Sequence, residues 1–211
     1  MRGAAGGLLG QTPFVCGGYY YDDANKRSYS KACYSLQENG TWSQDQTAVL
    51  STTRAWNAAP ESVVINNQLV MVGGFKSWKD GRVLSTIEVA SPNTKTRILP
   101  INLPKGLQFS CLVPWDNETF MVIGGSGFSK KTYFASMKNS TLVDGPPLIM
   151  GRMFHACNEI VVNGEAFIVV TGGHVGGTIG LGPDLEQRLV EVLSKTSYTK
   201  GWVKGDLRQI K

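Results

Sequence analysis

The stretch LVMVGG at residues 69–74, an apolar strand closed by two glycines, recurs along this chain and decides its fold. The same pattern reads PFVCGG at 13–18, FMVIGG at 120–125 and FIVVTGG at 167–173. The first glycines are Gly17, Gly73, Gly124 and Gly172, so successive pairs are 56, 51 and 48 residues apart. A recurring period of about 50 residues indicates a repeat architecture.

Each diglycine ends a predicted hairpin, and two further strands follow it. The turn formers Asn66-Asn67, Asp116-Asn117 and Asn163-Gly164 separate the first two strands of the later units. The third strands read CYSL (33–36), TIEVA (86–90), TYFAS (132–136) and LVEVL (189–193), and fourth strands are expected near Trp42, Ile98, Leu142 and Trp202. Segment 185–195 also suits one face of a helix, but the repeat register favours a strand for its second half.

The composition agrees with four small antiparallel sheets. Charged residues make up only 18% of the chain and 25 of its 211 residues are glycine, which excludes a disordered chain, a coiled coil or a helical bundle. Four-stranded units that stack around an axis cover each other's faces, so we predict an all-β propeller. One domain is expected over 1–211, with blades at 1–44, 45–99, 100–148 and 149–204 and a tail at 205–211.

These units resemble kelch repeats, in which an apolar strand ends in Gly-Gly and a tryptophan follows later. Trp42 lies 25 residues after Gly17, and Trp202 lies 30 after Gly172. The resemblance implies a kelch-type propeller, similar to the galactose-oxidase central domain and to extracellular attractin-like proteins. Kelch propellers usually have more than four blades, so a partial ring is expected, with a closed four-blade ring as the alternative. The family also has an arginine before each first strand, which Arg54, Arg152 and, as a substitute, Lys105 match.

The net charge excludes some partners. Lys and Arg outnumber Asp and Glu by 21 to 16, a net charge of +5, without the dense basic clusters of nucleic-acid binders. No apolar run approaches the length of about 18 residues that indicates a membrane span. We therefore expect neither a nucleic-acid partner nor membrane insertion. The first residues, RGAAGGLLG, do not form a convincing signal peptide.

Alternating strand directions give the predicted propeller two faces. The 1–2 and 3–4 turns emerge on one side, here called the lower face, and the 2–3 and 4–1 loops emerge on the upper face. Exposed aromatic and arginine side chains are typical of binding hot spots. We predict that the upper face binds a protein or glycan partner of acidic character through Tyr20, Arg27, Arg54, Trp56, Trp78, Lys79, Arg82, Lys105, Arg152 and His174. The alternatives are solvated loops with some rings between blades, and arginines that hydrogen-bond loop carbonyls.

Three sequons fall on the lower face. Asn117 lies in a 1–2 turn, whereas Asn39 and Asn139 lie in 3–4 turns. Exposed turns accommodate a glycan, so the sequence predicts N-glycosylation at these positions. The alternative is that asparagine is simply a favoured turn residue.

The four cysteines do not have zinc-ribbon spacing. Cys16 and Cys33 lie on neighbouring strands of one blade, which predicts a cross-strand disulfide, with two buried thiols as the alternative. Cys111 and Cys157 lie in the first strands of different blades, and we expect them to be thiols. Together with the sequons, the first pair favours a secreted or extracellular protein over a cytoplasmic one.

Catalytic motifs are missing from the sequence. Of the two histidines, His155 and His174, His155 alternates with Cys157 along one strand, which gives two possible ligands where a copper-oxidase-like site needs at least three. GxSxG, P-loop and HExxH motifs are absent. We expect a non-enzymatic binding scaffold without metal or cofactor. The alternatives are an intracellular kelch substrate adaptor, which needs a BTB or F-box domain, and a copper-oxidase-like enzyme.

Overall fold

The structure, a computed structural model, describes residues 2–55, 62–77, 81–175 and 190–205. Within these residues the chain is almost entirely β, with four four-stranded antiparallel sheets and two short two-stranded ribbons. Each sheet contains one of the diglycine hairpins found in the sequence. The predicted all-β class and the four-stranded units are thus confirmed.

Blade 1 is the first sheet and carries a ribbon in its 2–3 loop. Its strands are β1 (Ala5–Leu9), β2 (Thr12–Cys16), β3 (Tyr19–Tyr21), β4 (Arg27–Tyr29), β5 (Ala32–Leu36) and β6 (Trp42–Val49). The sheet order is β1-β2-β5-β6, while β3 and β4 pair separately as the ribbon. Side chains alternate along β2, so Phe14 and Cys16 are buried while Val15 is half-buried.

Blades 2 and 3 are simple four-stranded meanders. Blade 2 contains β7 (Ser62–Ile65), β8 (Gln68–Val72), β9 (Thr86–Ala90) and β10 (Arg97–Asn102). Blade 3 contains β11 (Cys111–Pro114), β12 (Thr119–Ile123), β13 (Thr132–Ser136) and β14 (Thr141–Asp144). Asn66 and Asn67 close the first hairpin of blade 2 with φ of 47° and 59°, as its turn composition predicts.

Blade 4 carries a second ribbon. Its elements are β15 (Arg152–Met153), β16 (Ala156–Val162), β17 (Glu165–Thr171), β18 (His174–Val175), β19 (Val190–Ser194), a 3₁₀ turn (Tyr198–Lys200) and β20 (Val203–Gly205). The sheet order is β16-β17-β19-β20, and β15 pairs with β18. The strand predicted for the second half of 185–195 is confirmed by β19, whereas 185–189 lie outside the described residues.

The four blades stack face to face in chain order. Their first strands lie side by side, because β1 contacts β7, β7 contacts β11 and β11 contacts β16. We call the side of a blade that meets the preceding blade its leading face, and the opposite side its trailing face. Three apolar clusters fill the seams: Phe14 and Cys16 meet Leu69 and Met71, Val70 and Val89 meet Val122 and Tyr133, and Met121 and Ile123 meet Ile168 and Val170.

The diglycines hold each blade against the next one. The second glycine of each of the first three pairs donates its N–H to a carbonyl just before the next blade, from Gly18 to Arg54 at 2.7 Å and from Gly74 to Leu107 at 2.8 Å. Gly125 donates to Arg152 at 2.8 Å in the same way. A Cβ on Gly73 would lie well under 3.0 Å from the Leu107 carbonyl oxygen, so the backbones meet at a distance that only glycine allows.

Within the described residues, the stack is open at both ends. No described atom lies within 4 Å of the Cβ that Gly172 lacks, although Gly172 has the same left-handed backbone as Gly73. The trailing face of blade 4 and the leading face of blade 1 are therefore not covered by any described part of the chain. This arrangement fits the predicted partial propeller.

Two disulfides join the described strands. Cys16 and Cys33 are directly opposite in the β2–β5 pair, 4.0 Å apart at Cα, which confirms the predicted bridge. The expectation that Cys111 and Cys157 are thiols is wrong, because they form a second disulfide across 5.9 Å between Cα atoms. Their strands, β11 and β16, belong to adjacent blades and lie side by side. Two disulfides are typical of an oxidising compartment.

Candidate binding face

The upper face of blade 1 carries a tyrosine–arginine ribbon. Arg27, on β4, donates from Nε and Nη2 to the Tyr21 hydroxyl at 3.1 and 2.6 Å. Its guanidinium also lies over the rings of Tyr19 and Tyr21, at 4.9 and 5.3 Å from their centroids. The hydrogen bonds to Tyr21 and Tyr29 raise the pKa of Arg27 above its ordinary value. The ribbon thus holds the Arg27 charge in a fixed position, while Tyr20, 47% exposed, lies on the opposite side of the ribbon with Ser28.

A second group of aromatic side chains lies where the first strands of blades 3 and 4 begin. The rings of Phe109 and Phe154 stack with centroids 4.0 Å apart, and the Phe154 N–H donates to the Phe109 carbonyl at 3.1 Å. His174 meets the Phe154 ring edge-on at 5.8 Å, because the β15–β18 ribbon places it opposite Met153. We call Phe109, Phe154 and His174 the axial aromatic cluster.

The backbone of this cluster is strained. Phe109 and Phe154 have φ of 60° and 57°, a left-handed conformation in which a bulky residue is an outlier. Such a conformation costs about 1–2 kcal/mol per residue, and outliers of this kind gather at functional sites. Phe154 is nevertheless 46% exposed, so the strain holds an apolar ring in solvent rather than in the core.

Sequence reasoning found His174 but missed both phenylalanines. Each lies two residues after the carbonyl that receives a diglycine N–H, at Leu107 and Arg152. Trp56 stands at the same offset from Arg54. An aromatic residue at this position of each repeat is the sequence signal that could have identified the two phenylalanines. Trp56, Trp78 and Lys79, all predicted binding residues, lie outside the described residues.

The upper face also carries basic side chains. Arg82 and Lys105 are exposed, and their role in binding stays a prediction. Other exposed cations in the described loops of this face include Arg2, Lys26, Lys31, Lys130 and Lys131. The acidic residue Asp22 lies in the same loop as Lys26. Its carboxylate accepts the N–H groups of Ala24 and Lys26 at 3.1 and 2.8 Å, so it is hydrogen-bonded within its own loop.

Arg54 is not part of the exposed face, although the sequence placed it there. It is 0% exposed and donates to the Gly73 and Thr86 carbonyls and to Glu88, which is also 0% exposed, at 3.3 Å. Burial lowers the pKa of Arg54, and the Glu88 carboxylate opposes that effect. Arg54 is therefore an arginine that hydrogen-bonds loop carbonyls, which was the alternative to a binding residue.

Arg152 has the same role in blade 4. It is fully buried and donates to the Gly172 carbonyl at 3.1 Å and to Glu191 at 2.5 Å. Glu191 also accepts the N–H groups of Ile149 and Met150. A partner at the surface cannot reach Arg152 in this structure. The position that Lys105 was expected to fill in blade 3 belongs to Leu107, because Leu107 supplies the carbonyl that Arg54 and Arg152 supply elsewhere.

His155 lies below the axial aromatic cluster, in the seam between blades 3 and 4. A Cβ on Gly124 would meet the His155 imidazole at 2.7 Å, and one on Gly173 would meet the His155 Cβ at 2.7 Å, so His155 lies against both diglycines. Burial, and then the nearby charge of Arg152, lowers the pKa of His155 to about 4. The ring is therefore neutral near pH 7. In the described part of the chain, no three His, Cys, Asp or Glu side chains are grouped to hold a metal ion.

The three sequon asparagines are exposed and lie on the lower face, opposite the aromatic groups. Asn117 and Asn139 line one groove of about 700 Å³ together with Asp116 and Glu118. The Asn39 amide oxygen accepts the N–H and the hydroxyl of Thr41 at 3.0 and 2.7 Å. Their position leaves room for glycans, and their use stays a prediction.

Comparison with known proteins shows the fold alone. No protein-family model matches the chain, and a search of curated proteins gave no match either. Among solved structures, one titled "Structure of YjhT" is similar with a TM-score of 0.74. The similarity covers 99% of this chain and 72% of that chain, at 11% sequence identity. Among the described residues no helix is long and apolar enough to cross a membrane. The chain therefore has a β-propeller-like fold, a scaffold suited to binding through its loops.

Proposed function

We propose that this chain is a kelch-type propeller module that binds an acidic protein or glycan partner through its upper face, outside the cell and without catalysing a reaction. The axial aromatic cluster carries the proposal. The Phe154 ring stacks on Phe109 and is still 46% exposed, and both phenylalanines have a left-handed backbone of the kind that gathers at functional sites. An exposed apolar centre with a charged rim is the usual anatomy of a binding surface.

The surroundings of the cluster favour an acidic partner. The exposed lysines and arginines of the upper face attract negative charge, and Arg27 presents a cation fixed by Tyr21. Two disulfides support an oxidising compartment over the cytoplasm of an intracellular adaptor. His155 is buried and neutral, so it is poorly placed for proton transfer at this surface.

Binding to an array of acidic peptides and of sialylated and sulfated oligosaccharides tests the proposal. We expect retention that weakens as salt rises. Phe154→Ala should weaken it about tenfold or more, and Arg27→Ala should reduce it as well. Val143→Ala is the matched control, because Val143 is an exposed apolar residue of the outer strand β14. Retention unchanged by Phe154→Ala, or no retention of any acidic probe, would refute the proposal.

A stability measurement separates loss of the ring from loss of the fold. Phe154→Gly removes the ring and also relieves the left-handed backbone, so it should be more stable than Phe154→Ala by about 1–2 kcal/mol. Both variants should lose binding equally. If only the less stable variant lost binding, the ring would not be the contact.

A further inference from the structure

The trailing face of blade 4 is an apolar sheet surface with no cover in the described chain. Alternate side chains of its strands point the same way, and none belongs to the buried clusters between blades. Its exposed apolar residues include Ile160, Phe167, Val169, Val192 and Val203, and the polar residues Asn158, Glu165, Thr171 and Ser194 lie on the same side. Val203 is 59% exposed and the other four apolar residues are partly exposed. Contiguous exposed apolar surface of this kind marks an interaction site.

The leading face of blade 1 is open in the same manner. Its apolar residues are Leu8, Pro13, Val15, Tyr34, Leu36 and Trp42, and the polar Gln44 lies on the same side. Leu8 and Trp42 are 59% and 49% exposed, and the other four apolar residues are partly exposed. In the part of the chain that the structure describes, each copy therefore has one uncovered trailing face and one uncovered leading face.

The two free faces repeat the residues of an interface that already exists within the chain. Strand register aligns Val169 and Val192 of blade 4 with Val70 and Val89 of blade 2. It also aligns Val15 and Tyr34 of blade 1 with Val122 and Tyr133 of blade 3. In the blade 2–blade 3 seam, the valines of the trailing face bury Val122 and Tyr133 to 0% and 6% exposure.

The blades also alternate in kind, which limits what can follow blade 4. Blades 2 and 4 carry the buried Arg54–Glu88 and Arg152–Glu191 pairs on their leading side. Blades 1 and 3 have Tyr34 and Tyr133 at the position of the glutamate. A blade of the tyrosine kind follows blade 2, so the matching continuation after blade 4 is a blade like blade 1.

We propose that the trailing face of blade 4 binds the leading face of blade 1 of a second copy of this chain, giving a head-to-tail dimer. Both faces of each copy are then covered, and no apolar sheet surface remains at an open end. The dimer has eight blades, which lies within the range of about four to eight blades in closed propellers. Gly172 receives the backbone of the second copy where Gly73 receives that of blade 3.

Sedimentation analysis of the 211-residue chain over a range of concentrations tests this. The unaltered chain should be a dimer. Val169→Asp and Leu8→Asp should each raise the dimer dissociation constant roughly a hundredfold or more, because each would bury an unpaired carboxylate. Val161→Asp is the matched control, since Val161 is 65% exposed on the opposite side of the same sheet and should leave the dimer intact.

A mixture of the two disruptive variants distinguishes the arrangement. Val169→Asp keeps an intact blade 1 face and Leu8→Asp keeps an intact blade 4 face, so their mixture should recover a heterodimer through one sound interface. If each face instead paired with the same face of the second copy, mixing the two variants would not restore a dimer. A monomer at every concentration, a ladder of larger species, or a dimer insensitive to Leu8→Asp would overturn the proposal. Matching circular dichroism spectra of the three variants confirm that loss of the dimer is not unfolding.

Discussion

Two alanine substitutions measure directly how strongly the diglycine holds neighbouring blades together. Gly73 and Gly172 have φ of 62° and 66°, so the left-handed backbone destabilises an alanine at either position by a similar amount, about 1–2 kcal/mol. Alanine also restricts the unfolded chain equally in both variants, and that contribution cancels in the comparison. The two positions differ in what their missing Cβ would meet.

At Gly73 the new Cβ would lie well under 3.0 Å from the Leu107 carbonyl oxygen, whereas at Gly172 no atom of the described residues lies within 4 Å. Relief of that clash moves blade 3 away from blade 2, which costs about 1–3 kcal/mol in packing. It also weakens the 2.8 Å hydrogen bond from Gly74 to Leu107, a contribution of about 1 kcal/mol. Gly73→Ala should therefore destabilise the chain by about 2–4 kcal/mol more than Gly172→Ala.

Urea unfolding at a low protein concentration, where the chain is monomeric, provides the comparison. The midpoints should separate while the dependence on denaturant stays the same, because the surface exposed on unfolding is unchanged. Equal losses of stability in the two variants would refute the role assigned to the diglycine. The glycines would then serve only the backbone conformation.

Three other perturbations have signs and sizes fixed by the structure. Arg54→Ala should destabilise the chain by about 3–5 kcal/mol because it leaves Glu88 charged and buried, and the double variant Arg54→Met/Glu88→Leu should recover much of the loss in thermal unfolding. Replacement of both Cys111 and Cys157 by alanine should lower the free energy of unfolding by about 4 kcal/mol, since the disulfide spans 46 residues. An unchanged unfolding midpoint would contradict a stabilising disulfide between blades 3 and 4. The pKa of His155 is lowered from 6.5 to about 4, so the unfolded chain binds the proton first as pH falls; stability should be full above pH 6.5 and decrease by about 3 kcal/mol towards pH 4, and His155→Gln should remove that part of the slope.

Local sequence patterns were sufficient for the blades. The diglycine period, the Asn-rich turns and the alternation of apolar residues depend on neighbours within one hairpin, so they appear directly in the order of residues. The Cys16–Cys33 bridge belongs to the same class, because both cysteines lie on adjacent strands of one meander. The strand at 190–194 was resolved against a helix only by the repeat register.

Contacts between blades could not be derived in this way. Cys111 pairs with Cys157 because the first strands of neighbouring blades lie side by side. The sequence pattern of a single repeat does not show that these two strands are neighbours. Arg54 and Arg152 were predicted to be exposed because they are charged. Each is buried because it pairs with a glutamate, Glu88 or Glu191, that is distant in sequence. Phe109 and Phe154 resemble core residues in sequence and become surface residues only through their left-handed backbone.

The sequence by itself determined that the chain folds into four small antiparallel sheets, because strand periodicity and turn chemistry are local properties of the chain. Only the tertiary structure decided which side chains face a partner, which charges are buried and which sheet faces remain open. Those properties depend on the distance between groups that are separated by about one repeat of sequence, and that distance exists only once the blades are stacked.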